Sequence, residues 1–395
     1  VSRDFTMTRI LVVVPDFFPS ESGYSHASIN AVAAYASLGF EIHVISYREA
    51  LLPNWLADYG VRLHSFVTDS LEELEKLFVK SLHGDWDAVI FETYESSNKG
   101  LVLLDVVDVP VSRVAVRIHA ATETETFLSG PNEYYRYMFE CAKRLDERIG
   151  HVWSTTWHYV EFHKKHYRTN PQYQSATHYA LLPNFPSPVK PDLLHITPEI
   201  SAWLSSGPRS LLLLGRMSWQ GVHQKNFPNV LQALHALVQE DPDFLSNNKI
   251  IFIGDGDERR NLFDMAVRLG IEPYILFVNY LPHLEVVSLI YRVSGAILAS
   301  RYEGHSMFAV ECLESGCPLL VAENTGIEEY VFDDVTGVKI KRFDDVFDIA
   351  EGIKRLTSRS WNRRDVAAAY CEMFGLERVR NKANLLFKYL LADRL

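Results

Sequence analysis

The chain has 395 residues, 47% of them hydrophobic and 23% charged, with a formal net charge of −11. That length exceeds what one core organises, so two domains are expected, and the acidic balance leaves no basic surplus for a nucleic-acid partner. No apolar run approaches a membrane span and no signal-peptide core opens the chain, while Cys141, Cys312, Cys317 and Cys371 form no Cys-x-x-Cys pair and no metal spacing; a reducing, cytoplasmic setting is the expectation.

Residues 1–6, ahead of Met7, carry no fold information. Arg9 to Val14 reads as an apolar strand ended by Pro15. A loop through Phe17–Gly23 follows, then a helix from Ser25 to Leu38 stopped by Gly39, then a strand at Glu41–Ser46. This β-loop-α-β opening has the form of a dinucleotide fold without its triple glycine. Further strands are expected at Val61–Phe66, Ala88–Phe91 and Val114–Ile118, with helices at Leu71–Leu82 and Tyr134–Ile149. The alternation implies a parallel sheet covered on both faces. His119 falls at the C-terminal end of a strand, where ligands of such sheets sit. From His151 to Arg168, four histidines and two tryptophans give only one i, i+3 histidine pair and no carboxylate set apart for a metal. The segment reads as a helix with an aromatic core face and a solvated basic face of Lys164, Lys165 and Arg168. Contact of that face with an anionic acceptor or lipid headgroups is the alternative.

Pro183, Pro186, Pro188, Pro191, Pro198 and Pro208 mark an extended connection over residues 185–208. Beyond it, the strand Leu211–Leu214 delivers Gly215-Arg216, and Lys225 precedes Asn226 at a helix start. An arginine and a lysine converging on one place suit a diphosphate. The strand Lys249–Ile253 leads into Gly254-Asp255-Gly256. After Tyr274–Val278, Tyr280 or Leu281 stands where a base could stack, ahead of a helix at His283–Arg292. The stretch Gly295–Gly326 then reads as strand, polar turn, helix and strand, with Ser306 capping the helix and Pro318 forbidding its return. Its free amides at Ser306, Met307 and Phe308 favour an anionic group, and Glu303 and Glu311 flank them with hydroxyl acceptors. That is a pocket for a sugar nucleotide. Helical patterns at Val346–Leu356, Asp365–Phe374 and Val379–Leu391 close the chain.

The Glu303-x7-Glu311 pair resembles the motif of the retaining family-4 glycosyltransferases (glycosyl transferases group 1) of GT-B fold. The likeness continues in order through Gly215-Arg216, Lys225-Asn226, Ile253-Gly254-Asp255-Gly256, Gly316-x-Pro318, Glu328-Glu329-Tyr330-Val331 and Thr336-Gly337. It implies an α/β architecture of two Rossmann-like domains with parallel sheets facing across a cleft. Residues 1–184 would serve the acceptor and 209–375 the donor, with the helix 376–395 crossing back to the first domain. The implied reaction moves a sugar from a nucleotide-diphosphate sugar, UDP- or GDP-linked, to a hydroxyl of a glycan, lipid-linked, protein or small-molecule acceptor. Configuration is retained and neither metal nor cofactor is needed.

By the same resemblance Arg216 and Lys225 hold the diphosphate and Glu311 the ribose hydroxyls. Glu303 and His119 take sugar hydroxyls, and Gly23, Gly254 and Gly256 let the donor approach the backbone. The chain departs from the family at Ser22, which replaces the first of two glycines, at Ala120 beside His119, and at His305-Ser306 where phenylalanine-glycine is usual. The segment Met217–Gln224 is also longer than in the family. A sugar-nucleotide epimerase of this fold and a non-catalytic nucleotide-sugar binder stay open as alternatives. Acceptor choice is expected from the loops Pro15–Gly23 and Ala120–Pro131.

Overall fold

The computed structural model describes residues 7–20, 22–119, 133–168, 177–187, 196–207 and 209–392; the loop Ala120–Pro131 and Pro188, Pro191 and Pro208 lie outside them. The chain divides into two compact units, Val1–Pro188 with Leu376–Leu395, and Val189–Gly375. No helix among the described residues is long and apolar enough to cross a membrane.

The first unit holds strands β1 (Arg9–Val13), β2 (Glu41–Ser46), β3 (Arg62–Ser65), β4 (Ala88–Phe91), β5 (Val114–Ile118), β6 (His151–Ser154) and β7 (His178–Leu181). They pair in parallel in the order β3-β2-β1-β4-β5-β6-β7. Along the central strands the residues alternate between two cores. Ile10 and Val12 pack on one side and Leu11 and Val13 on the other, which is why these strands read as unbroken apolar runs. The first helix begins at Gly23 rather than Ser25: Ser22 is its N-cap, its side chain accepting from the Ser25 amide.

Two expectations fail here. His151–Ser154 is not helical but is strand β6, fully buried between β5 and β7; the helix starts only at Trp157, capped by Thr156. Two polar residues of the segment also turn inward. His163 and Arg168 are buried and converge on Asp146, with Arg168 Nε 2.6 Å from Oδ2, so Arg168 belongs to a buried network and not to a solvated basic face. The second departure is at Pro198–Ser205, which forms a helix inside the stretch read as extended; Pro198 sits at its first turn, where a missing amide hydrogen is harmless.

The second unit holds β8 (Ser210–Leu214), β9 (Lys249–Ile253), β10 (Ile275–Val278), β11 (Gly295–Leu298), β12 (Leu319–Ala322) and β13 (Gly337–Ile340), parallel in the order β10-β9-β8-β11-β12-β13. Leu211 and Leu213 face one core and Leu212 the other. In both sheets the strand order reverses beside the first strand, between β1 and β4 and between β8 and β11. Loops leaving the two strands on either side of such a reversal diverge and open a crevice at their C-terminal ends.

Candidate functional site

In the second unit the crevice is bounded by the loop after β8 and the loop after β11. Arg216 stands exposed at the mouth of β8. The long segment behind it folds into a helix, Trp219–Lys225, capped at its start by Ser218 and ended by Asn226 in the left-handed conformation (φ 59°). That turn of helix absorbs the extra residues and returns Lys225 to the strand end, where its Cγ would touch a Cβ placed on Gly215 at 3.0 Å. Lys225 Nζ there pairs with Glu303 Oε2, and Ser300 Oγ donates to the same oxygen at 3.3 Å. Glu303 is buried; its amide donates to Thr325 O at 2.9 Å, and the turn carrying Thr325 is held by Glu328 Oε2, which accepts from the Gly326 amide at 2.6 Å.

The helix Met307–Glu314 begins beside this pair. Ser306 Oγ accepts from the Ala309 amide at 3.4 Å, while Met307 and Phe308, as the first helical residues, have no intrahelical acceptor for their amides. Glu311 lies on the second turn, its Oε1 2.6 Å from His283 Nε2. His305 points the other way: it is buried, its ring stacks on Tyr330 at a centroid distance of 3.6 Å, and Nε2 meets the Tyr370 hydroxyl at 2.9 Å. The imidazole fills an aromatic position of the core and adds nothing to the crevice.

Gly254 and Gly256 have a packing reason of their own. A Cβ on Gly254 would stand 2.1 Å from Gly215 O, and one on Gly256 2.5 Å from the Met217 carbonyl carbon. The two loops are stitched, Met217 donating to Asp255 O at 2.9 Å and Glu258 to Met217 O at 2.8 Å. These glycines let the loop after β9 lie against the loop that carries Arg216.

Residues 205–370 match the model of the family described as Glycosyl transferases group 1. This stretch is similar to the group 1 glycosyltransferase domain. Relatives with a curated description match about a third of the chain: glycogen synthase of Mycobacterium tuberculosis is 31% identical over 134 residues, 34% of this chain and 30% of the synthase. The D-inositol 3-phosphate glycosyltransferase of Saccharomonospora viridis is 28% identical over 137 residues, 33% of this chain and 31% of that one. The matched stretch thus spans about a third of the length of these relatives.

Likeness in fold runs through both units. Sucrose-phosphate synthase of Thermosynechococcus elongatus superposes with a TM-score of 0.71 at 14% identity, covering 98% of this chain and 100% of that one. The HepE protein of Anabaena, solved with UDP and glucose, gives 0.69 at 15% identity, covering 96% and 99%. The fold is GT-B, and the stretch that matches the family model lies in its second Rossmann-like unit.

The first unit has its own polar cluster, at the C-terminal ends of β4 and β5. Glu92 is fully buried and accepts from Tyr35 Oη at 2.9 Å, Arg117 Nη1 at 2.9 Å and His119 Nε2 at 3.1 Å. Burial alone would raise its carboxyl, but Arg117, His119 and Tyr35 outweigh burial and hold it below the usual range. Burial, and then Arg117, push the His119 imidazole down against the pull of Glu92. A neutral ring beside a carboxylate carries its hydrogen on Nε2. Arg117 also donates to Pro183 O at 2.9 Å and Asn184 Oδ1 at 2.7 Å, so it ties the proline-asparagine segment to the sheet. A Cβ on Gly23 would meet nothing within 4 Å.

Sequence reasoning named His119 and missed Glu92, Arg117 and His283. Arg117 had a readable signal: a charge inside Val-Ala-Val-Arg-Ile, a strand buried on both faces, requires a buried counter-charge. His283 had none, since its partner is 28 positions away on another helix.

Proposed function

We propose that the chain transfers a glycosyl group from a nucleoside-diphosphate sugar to a hydroxyl acceptor, with retention at the anomeric carbon and without a metal ion. The observation that supports this reading is that the loops after β8 and β11, on either side of the switch point of the second sheet, carry Arg216, the Lys225–Glu303 pair and the Met307–Phe308 amides. The demanding event is cleavage of the bond between C1 and the phosphate oxygen, which leaves negative charge on the diphosphate. Fixed positive groups aimed at that charge lower the barrier without reorganising. Arg216 presents a planar fork, and the Lys225 ammonium has three hydrogens, so it serves Glu303 and a phosphate together. Glu303 then takes a hydroxyl of the sugar and Glu311 the ribose. As the acceptor oxygen bonds to C1, its proton passes to the departing phosphate oxygen. UDP-sugars are the first donors to test, supported by the UDP and UDP-glucose complexes of the Anabaena fold relative. Free thiols at Cys141, Cys312 and Cys317 suit a cytoplasmic site of action.

The test is a thermal-shift screen of UDP-, GDP-, ADP- and dTDP-sugars, then product analysis by NMR with EDTA present. One donor is expected to stabilise the chain and give a product of unchanged anomeric configuration. An inverted product, or activity abolished by EDTA and restored by a divalent cation, overturns the mechanism. Consumption of donor at full rate with no acceptor present would favour the epimerase alternative.

A further inference from the structure

Resting on the donor reading of Glu311 just given, we propose that His283 is a positioning residue that makes the site select ribonucleoside- over 2′-deoxyribonucleoside-diphosphate sugars. Glu311 Oε1 lies 2.6 Å from His283 Nε2, and the two side chains keep 13% and 30% of their surface, so the pair sits at the rim of the crevice and not in a core. Two rigid elements hold it. Glu311 is fixed on the helix Met307–Glu314, and His283 opens the helix His283–Ile290, entered through Pro282.

A carboxylate only accepts, so His283 Nε2 carries the hydrogen and donates to Oε1. The terminal torsion of a glutamate is otherwise broad and nearly free. The histidine bond stops that rotation and points Oε2, with the second lone pair of Oε1, in one fixed direction. A ribose brings two adjacent hydroxyls that can both donate to an acceptor set in this way. A 2′-deoxyribose brings one and leaves a half-buried carboxylate lone pair unmatched, which is the arrangement that discriminates most sharply against a missing hydroxyl. A carboxylate free to rotate would turn its spare oxygen to water and lose that discrimination. The ribose is remote from the bond that breaks, so the effect falls on binding.

Calorimetric titration of UDP, GDP and their 2′-deoxy forms into the full chain tests this, with wild type, His283→Ala, His283→Gln and Glu311→Ala compared, alongside steady-state kcat and KM. For His283→Ala, ribonucleotide affinity is expected to fall about tenfold and the ribose-to-deoxyribose ratio to drop about tenfold, with KM raised and kcat within about twofold. The glutamine amide donates from a similar place, so His283→Gln is expected to recover most of the ratio, and Glu311→Ala to abolish it. Wild-type affinity and ratio in His283→Ala overturn the proposal, as does a loss that follows a fall in Tm and is not rescued by glutamine. If the wild-type chain binds neither nucleotide, the donor reading itself fails and takes this inference with it. Binding by wild type with an unchanged ratio in His283→Ala sinks the inference alone.

Discussion

Lys225 and Glu303 were read from the sequence as two separate contacts, and the molecule joins them into one ion pair. Their pairing depends on the helix Trp219–Lys225 carrying the lysine back to the end of β8, a tertiary return that no local pattern encodes. Because the pair is largely buried, removing one partner strands the other charge. Lys225→Met is expected to lower stability by about 3 kcal/mol, and adding Glu303→Leu to recover most of it while transfer activity stays lost. Urea melts of the single and double variants check this; a double variant as unstable as the single would mean the pair is not an isolated couple. Arg216 is exposed and has no such structural duty. Arg216→Ala should leave the melt unchanged and reduce turnover about a hundredfold with a smaller effect on KM, since the charge it meets grows only in the transition state. Unaltered turnover would remove the diphosphate role. The acidic pair and the helix cap between them were legible because they lie within one strand–turn–helix unit, whose spacing the sequence prints directly.

The elements show where that legibility stops. Strand β6 is four residues, His-Val-Trp-Ser, too short to display alternation and dense in residues that invite a metal or helix reading. Its neighbour β7 opens with His178, stacked on His151 at 4.9 Å, while His151 Nε2 donates to Ser112 O at 3.0 Å. Burial, with His178 next, pushes the His151 imidazole down to about 4. The unfolded chain therefore holds more protons than the folded one between about pH 6.5 and 4, and stability is lost as pH falls through that window. The full loss from this one ring is about 3 kcal/mol, and His151→Gln should flatten the Tm-against-pH curve between those limits. A slope identical to wild type would assign the acid sensitivity elsewhere. In the second unit the stitched loops after β8 and β9 make a similar point about glycine. Gly256 has φ 144° and no room for a Cβ against the Met217 backbone, so Gly256→Ala must displace the loop that bears Arg216. A stability loss of about 2 kcal/mol with weakened donor binding is expected from melts and titration; an unchanged affinity would show that Arg216 tolerates the shift.

At the scale of the whole molecule, the alternation of strands and helices announced two Rossmann-like units, and both sheets are parallel as that alternation implies. What alternation does not announce is that the first unit is completed by the end of the chain. The helix Leu376–Leu390 belongs to it, burying Val379, Ala383, Phe387 and Leu390 along one face. Phe387 meets Tyr35 at 5.1 Å, Phe40 at 4.7 Å and Trp153 at 5.6 Å, and Arg380 donates to Ser37 O at 2.8 Å, closing the end of the first helix. The amphipathic spacing was visible in the sequence, but a stripe of apolar residues does not name the surface that covers it. Since Phe387 is wholly buried among three aromatic rings, Phe387→Ala should remove about 4 kcal/mol, and that loss should fall on one unit. Hydrogen exchange of the full-length variant separates the possibilities. Amides of β1, β2 and β6 are expected to exchange faster through the opening of their shared core, while those of β8, β9 and β11 keep wild-type rates. Equal acceleration in both sheets would mean that the two units unfold as one cooperative body, and acceleration confined to the last helix would mean that the helix frays without carrying the core with it.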